Sequence, residues 1–348
     1  MKKRVAVIGY GGQGKWHTEF ILDSDVVCLA GVYDIDESKR EKARKKGIFV
    51  YDSNEAIFFD SSVDIVVIAT PNDVHEELSI KALNSGHHVI CEKPVALSVE
   101  SFDRIIEASK HSNKIFSVHQ NRRWDKEYLA IKEIVDNLEI GNVFRIENRV
   151  HGSRGIPGDW RKKEQFGGGM IYDWGVHLID QTMSIFPQGI VEIDCNTTHL
   201  TNQEVDDGFR LELLFEDGLT AFIEVSTYNF LRLPRFYMQC QNGTALIKDF
   251  NSDVSIIKMT KWIEKEVTPV QTSAGITKTM APRDEYSCSE YTKELPYADV
   301  HDFYRNYCDA IDGKCEQMIK NSQVRRVLQV IENAFKSAEL RERIKVII

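Results

Sequence analysis

VAVIGYGGQG, residues 5–14, is a short apolar run that stops at spaced glycines, with a helical pattern following at once. The spacing has a mechanical meaning. Gly9 turns the chain tightly, Gly11 lets backbone approach a pyrophosphate, and Gly14 lets the helix pack closely on the strand. Gly12 and Gln13 complete the turn, where free N–H groups and the helix dipole favour an anion. A lone glycine motif of this kind is weak, because many are flexible turns, but a strand before it and a helix after it supply the right context. Asp34 adds to it. This acid closes a second apolar run, residues 26–33, about 20 residues after Gly14, where a dinucleotide-binding domain places its ribose-binding carboxylate. A carboxylate there accepts hydrogen bonds from a ribose diol and repels a 2′-phosphate, so NAD is expected in preference to NADP. The competing reading is that Asp34 caps a helix beginning near Asp36, and Lys39 and Arg40 lie close by.

Working outward, apolar runs at residues 5–8, 26–33, 63–69, 89–91 and 115–118 alternate with helical segments. That alternation predicts a doubly wound parallel sheet of the Rossmann type. Past residue 121 the pattern changes. A helix is expected over 126–138, then strands at 211–215 and 220–225 around the turn Glu216-Asp217-Gly218, and another at 236–239 closed by Asn242-Gly243. Two helices, 299–312 stopped by Gly313 and 322–341, close the pattern. Residues 252–291 are polar and receive no assigned structure. The fold class is therefore α/β plus α+β. Residues 1–121 are expected to form an NAD-binding domain, and residues 122–348 a mostly antiparallel open-sheet domain whose last helices can pack back on the first domain.

The 348 residues are too many for one ordinary core. With 42% hydrophobic and 28% charged residues the chain has enough apolar material to fold as a globular protein. A net charge of -9 and the absence of a basic run interleaved with aromatics argue against a nucleic-acid partner. The seven cysteines are scattered, without metal-type spacing, so no metal and no disulfide framework is expected. No stretch approaches the roughly 20 apolar residues a membrane span needs. The N-terminal basic residues precede a run too short for a secretion signal, and the expected location is the cytoplasm.

Three further motifs carry chemistry: Ala69-Thr70-Pro71-Asn72 with His75, Cys91-Glu92-Lys93-Pro94, and Gly167-Gly168-Gly169 followed by Asp173 and His177. Taken singly, each is as readily a turn, a surface pair or a helix cap. Together, and in this order, they resemble the family of glucose–fructose oxidoreductases, inositol dehydrogenases and their relatives. The resemblance covers nearly the whole chain, and DWGVHLID, residues 173–180, is closest to the scyllo-inositol dehydrogenase-like branch.

The resemblance implies that Lys93, Asp173 and His177 gather around an alcohol to be oxidised. Oxidising a secondary alcohol needs a hydride acceptor and a positioned base for the hydroxyl proton. His177 suits the base by its ordinary pKa, and Lys93 can stabilise the developing alkoxide, although either could be the base. Asp173 and His177 are four apart, so the carboxylate is expected to orient the imidazole. Glu92 is placed to tune the lysine, and Pro94 holds Lys93 extended, with a cis bond implied by the resemblance. Thr70, Pro71, Asn72, His75, Glu92 and Lys93 itself are assigned to the cofactor wall, His75 being equally readable as a helix-start residue. Arg122, Trp160, Arg161 and Tyr172, with His151, are assigned to the substrate wall. The expected partners are a small polyol or sugar-like substrate and further copies of the chain, as a homo-dimer or homo-tetramer formed through the open sheet. Two rival functions share these residues: a redox-neutral glycosidase or lyase that retains NAD, and a non-catalytic NAD-dependent regulator, against which the three polar residues argue.

Overall fold

The computed structural model describes residues 1–262, 268–283 and 285–348. The first half is built on β1 (Lys3–Ile8), α1 (Gly12–Leu22), β2 (Val27–Tyr33), α2 (Glu37–Lys45), α3 (Asn54–Phe58), β3 (Ile65–Ile68), α4 (His75–Asn84), β4 (His88–Cys91), α5 (Val99–Ser112) and β5 (Phe116–Val118). The five strands form one parallel sheet in the order β2-β1-β3-β4-β5. β3, Ile-Val-Val-Ile, is buried at every position, as a strand covered by helices on both faces must be. Short polar caps set where the helices begin. Asp36 accepts from the Ser38 N–H to start α2, and Ser98 accepts from Ser101 to start α5. α1 starts at Gly11 with no side-chain cap, which leaves its first N–H groups facing the cleft.

The second half adds α6 (Lys126–Asp136), β6 (Val143–His151), α7 (Val176–Ile185), β7 (Ile190–Thr198), β8 (Gly208–Phe215), β9 (Thr220–Ser226), β10 (Phe236–Cys240), β11 (Gly243–Ile247) and β12 (Val254–Met259). It continues with β13 (Val270–Thr272), β14 (Gly275–Thr277), β15 (Cys288–Lys293), α8 (His301–Ile311), α9 (Asn321–Leu340) and β16 (Ile344–Lys345). A nine-stranded sheet runs β15-β12-β11-β10-β6-β9-β8-β7-β16, antiparallel except where β6 lies parallel to β9. The expected open sheet is therefore present.

The segment 252–291, to which the sequence reading assigns no structure, supplies β12 and the start of β15, both sheet members, and the β13–β14 hairpin. β15 is the edge strand and its residues are polar or half-buried, whereas β12, paired on both sides, alternates buried Val254 and Ile256 with exposed Ser255 and Ile257 over too few residues to stand out in a polar segment; positions 263–267 and 284 of that segment lie outside the described residues. The last helices return to the first half. The Tyr307 hydroxyl donates to the Val89 carbonyl, and Arg325 on α9 pairs with Asp103 on α5. Among the described residues, no helix is long and apolar enough to cross a membrane.

Candidate active site

A cleft of about 1080 Å³ opens along the carboxyl ends of β1, β2, β3 and β4. In an open α/β sheet that is where ligands bind. Gly9, Gly11, Gly12, Gln13 and Asp34 line it from one side, and Thr70, Pro71, Asn72, Glu92 and Lys93 from the other. The glycines divide their work. A Cβ on Gly9, whose φ is +94°, would sit 2.3 Å from the Ala69 carbonyl oxygen, and one on Gly14 would sit 1.7 Å from the Gly9 carbonyl. Gly9 is needed where the turn after β1 passes the end of β3, and Gly14 where α1 packs on that turn. A Cβ on Gly11 or Gly12 would meet nothing within 4 Å, so the space above them is open for a phosphate group. This bare cradle at an uncapped helix start fits a dinucleotide pyrophosphate.

Asp34 is 4% exposed and already held. Its carboxylate accepts from the main-chain N–H of Tyr10 at 2.7 Å and of Asp36 at 2.9 Å, with the Lys39 ammonium at 3.3 Å. Asp36, not Asp34, caps α2.

The two halves meet over Lys93. Its ammonium donates to the Asp173 carbonyl at 2.9 Å and to the Asp173 carboxylate at 3.1 Å, and the Lys93-Pro94 bond is cis. Arg161 lies 3.3 Å from the same carboxylate and stacks 4.6 Å from the Trp160 ring centre, both residues lining the cleft. Burial would raise the Asp173 carboxyl, but the charges of Lys93 and Arg161 outweigh it and hold the pKa down. Asp173 sits in a π turn, Ile171–Gly175, that leads into α7. Asp206 anchors this entry, accepting from the Met170 and Ile171 N–H groups at 2.9 and 3.0 Å. Gly169, at φ +100°, is required beside it, since a Cβ would fall 2.2 Å from the Asp206 carboxylate.

His177 lies at the start of α7, 4% exposed, with an unpartnered Nδ1. Burial, followed by the charges of Lys93 and Arg122, holds its pKa well below the usual imidazole value. The expected Asp173–His177 contact is not formed, because the carboxylate is taken by Lys93 and Arg161.

Other expected wall residues are placed elsewhere. Both ring nitrogens of buried His75 bond to main-chain carbonyls, of Pro94 at 2.8 Å and Thr70 at 2.9 Å, so it ties two loops together rather than facing the cleft. The Tyr172 hydroxyl donates to the Leu97 carbonyl and its ring packs on Phe335. His151 lies on the sheet beside Glu224 and Asn229. Arg122 pairs with Asp125 and stacks 4.0 Å over Trp174, whose ring lies edge-on to His177. Asn72 both lines the cleft and donates to the Gly167 carbonyl at 2.9 Å, linking the halves.

Sequence reasoning missed the buried partners. Arg123 and Asp180 form a paired contact at 2.7 Å, and Gln181, held by Arg235, donates to the Arg122 carbonyl. His17, Glu92 and His119 come together as the one group of metal-ligating type among the described residues. Both imidazoles lie 2.8 Å from a single Glu92 oxygen, and Tyr304 takes the other nitrogen of His17. Those are hydrogen-bond separations, and, among the described residues, His119 Nε2 is left buried without a partner. Neither the cluster nor Asp206 carries a local sequence signal, since the partners lie 27 to 75 residues apart or, for Asp206, 36 residues from Met170.

Residues 3–120 match the profile of the GFO/IDH/MocA oxidoreductase family, NAD-binding Rossmann fold, and residues 128–246 match that of the family's C-terminal domain. The crystal structure of an NAD-binding protein from Listeria innocua is 42% identical, over 99% of each chain, with a TM-score of 0.96. The myo-inositol 2-dehydrogenase of Thermotoga maritima is 31% identical over 64% of this chain and 68% of its own. The NADP-linked scyllo-inositol 2-dehydrogenase IolW of Bacillus subtilis is 29% identical over 60% and 59%. The chain spans about half the length of other curated relatives that share a third of the aligned residues with it. With both domain profiles matched in order and the fold shared from end to end, the chain belongs to the GFO/IDH/MocA family of oxidoreductases.

Proposed function

We propose that the chain is an NAD-dependent dehydrogenase that oxidises a secondary alcohol of a polyol, inositol or sugar-like ring. The observation that carries this reading is the Lys93 ammonium, held by Asp173 at the inner end of a dinucleotide-shaped cleft with a neutral, buried His177 nearby. When bound, the nicotinamide supplies the acceptor for the hydride that leaves the carbinol carbon. His177 takes the hydroxyl proton, and its neutrality keeps a lone pair available for it. Lys93 donates to the carbinol oxygen and stabilises the negative charge that grows there as the C–H bond breaks. Asp173 and Arg161 orient that ammonium. Trp160 and Phe166, both in the cleft wall, exclude water from it.

Asp34 supports NAD over NADP, because its carboxylate is fixed by two N–H groups and would face a 2′-phosphate. The similarity to inositol dehydrogenases supports a neutral cyclic polyol as substrate, and the charged groups around Lys93 pair off, so that among the described residues no cationic site is left there for an anionic one. The test is a panel of inositols, aldoses and glycosides scored by NADH absorbance, with NADP in a parallel series. Turnover of at least one cyclic polyol, faster with NAD, is expected. A protein that reduces neither dinucleotide with any of them, or that works better with NADP, contradicts the reading.

A further inference from the structure

Glu92 stands in the cleft wall beside Lys93 yet is only 3% exposed. Its Oε1 accepts from His17 Nε2 and His119 Nδ1, and its Oε2 from the main-chain N–H of Lys93 at 3.3 Å. An oxygen that receives two imidazole N–H groups is carboxylate, and each imidazole needs just one proton to serve it. A second proton on His119 would leave a buried cation with nothing to accept its Nε2–H. That nitrogen is buried and unpartnered, and the ring is packed against Trp16, His17 and Phe303. Burial would push the Glu92 carboxyl up, but its imidazole partners outweigh it and hold it well below the ordinary range. Burial likewise keeps His17 neutral. The cluster therefore carries one negative charge.

Among the described residues, nothing nearby cancels it. Lys93 is balanced by Asp173, and Arg161 by Asp159 at 2.7 Å. The position matters as well. Asp34 at the end of β2 marks the adenosine end of the cleft, so an extended dinucleotide crossing β1 and β3 brings its nicotinamide toward β4, where Glu92 sits. The nicotinamide ring is cationic when oxidised and neutral when reduced.

We propose that Glu92, held ionised between His17 and His119, poises the redox couple by binding the oxidised dinucleotide in preference to the reduced one. The buried carboxylate interacts with the ring charge through protein rather than water, so it acts on one redox state and hardly on the other. This rests on the dinucleotide reading above. The histidines hold the carboxylate in place by hydrogen bonds.

The experiment measures Kd for NAD⁺ and for NADH, without substrate, on the full chain at pH 8, in wild type and Glu92→Gln. The carboxamide keeps an acceptor oxygen for the imidazoles while removing the charge. The ratio Kd(NADH)/Kd(NAD⁺) is expected to fall about tenfold in the variant, the order of a single charge acting through protein. An unchanged ratio, with both dinucleotides still bound, overturns the proposal. If Glu92→Gln is unfolded by circular dichroism, wild type alone decides: NAD⁺ must bind more tightly than NADH, and the reverse order overturns it. Wild type that binds neither dinucleotide refutes the dinucleotide reading itself, and this inference falls with it.

Discussion

Lys93 reaches across the junction between the two halves of the molecule, and its ammonium is oriented before any substrate arrives. Lys93→Met should cut turnover by about 10²- to 10³-fold, the usual cost of removing one donor to a developing oxyanion, without weakening NAD binding. His177→Ala should cost about 10²- to 10⁴-fold, recovered in part at high pH where hydroxide replaces the base. The wild-type pH profile follows from the same residue. Burial and two neighbouring cations disfavour the imidazolium, so the folded pKa lies below the free value and the base stays neutral as pH falls through 6.5. The acid limb of kcat/KM should therefore lie below pH 6.5. A limb at or above that value would take the base role away from His177.

At the scale of elements, the geometry of the candidate site depends on how one helix is entered. The π turn Ile171–Gly175 presents Asp173 to Lys93, and α7 then carries His177 on a buried stretch. Such turns cluster at functional sites because they displace side chains from α-helical register. Asp206 secures the entry from a distant loop, and burial pushes its carboxyl up to about 7 against the two N–H groups that pull it down. A carboxyl whose folded pKa is raised above its unfolded value favours the folded state fully at low pH and loses that contribution as pH rises through about 7. Asp206→Asn, always neutral and still able to accept, should therefore gain in melting temperature relative to wild type on going from pH 5 to pH 8. A difference that stays constant between the two pH values would mean that Asp206 is ionised throughout.

At the scale of the whole molecule, α7 and α9 cover one face of the nine-stranded sheet and, among the described residues, leave the other without a helix. On that open face Glu147 and Arg149 of β6 pair with each other, and Glu224 of β9 pairs with Arg149 and Arg210. Arg149 also stacks over Phe222. A large sheet with one bare face is commonly covered by a second copy. The chain should sediment as a dimer or tetramer at micromolar concentration, and a monomer there would show that the open face is not an interface between copies.

The glycine spacing, Asp34, the strand-like runs and the second-domain hairpin turns were legible in the sequence because each is a local signal: a turn, a period or a spacing read within about 20 residues. They determined the parallel and antiparallel halves, and the family resemblance that the short motifs carry implied Lys93, Asp173 and His177 as a group. The tertiary structure alone decided what each polar group touches. Asp173 answers to Lys93, 80 residues away, rather than to His177 four residues on, and His75 and Tyr172 spend their polar atoms on loop carbonyls. Glu92 meets His17 and His119, and Asp206 meets the turn before α7, only when strands distant in the chain are stacked. The reason is physical. A buried charge must find its partners wherever folding brings them, and sequence separation places no limit on that choice.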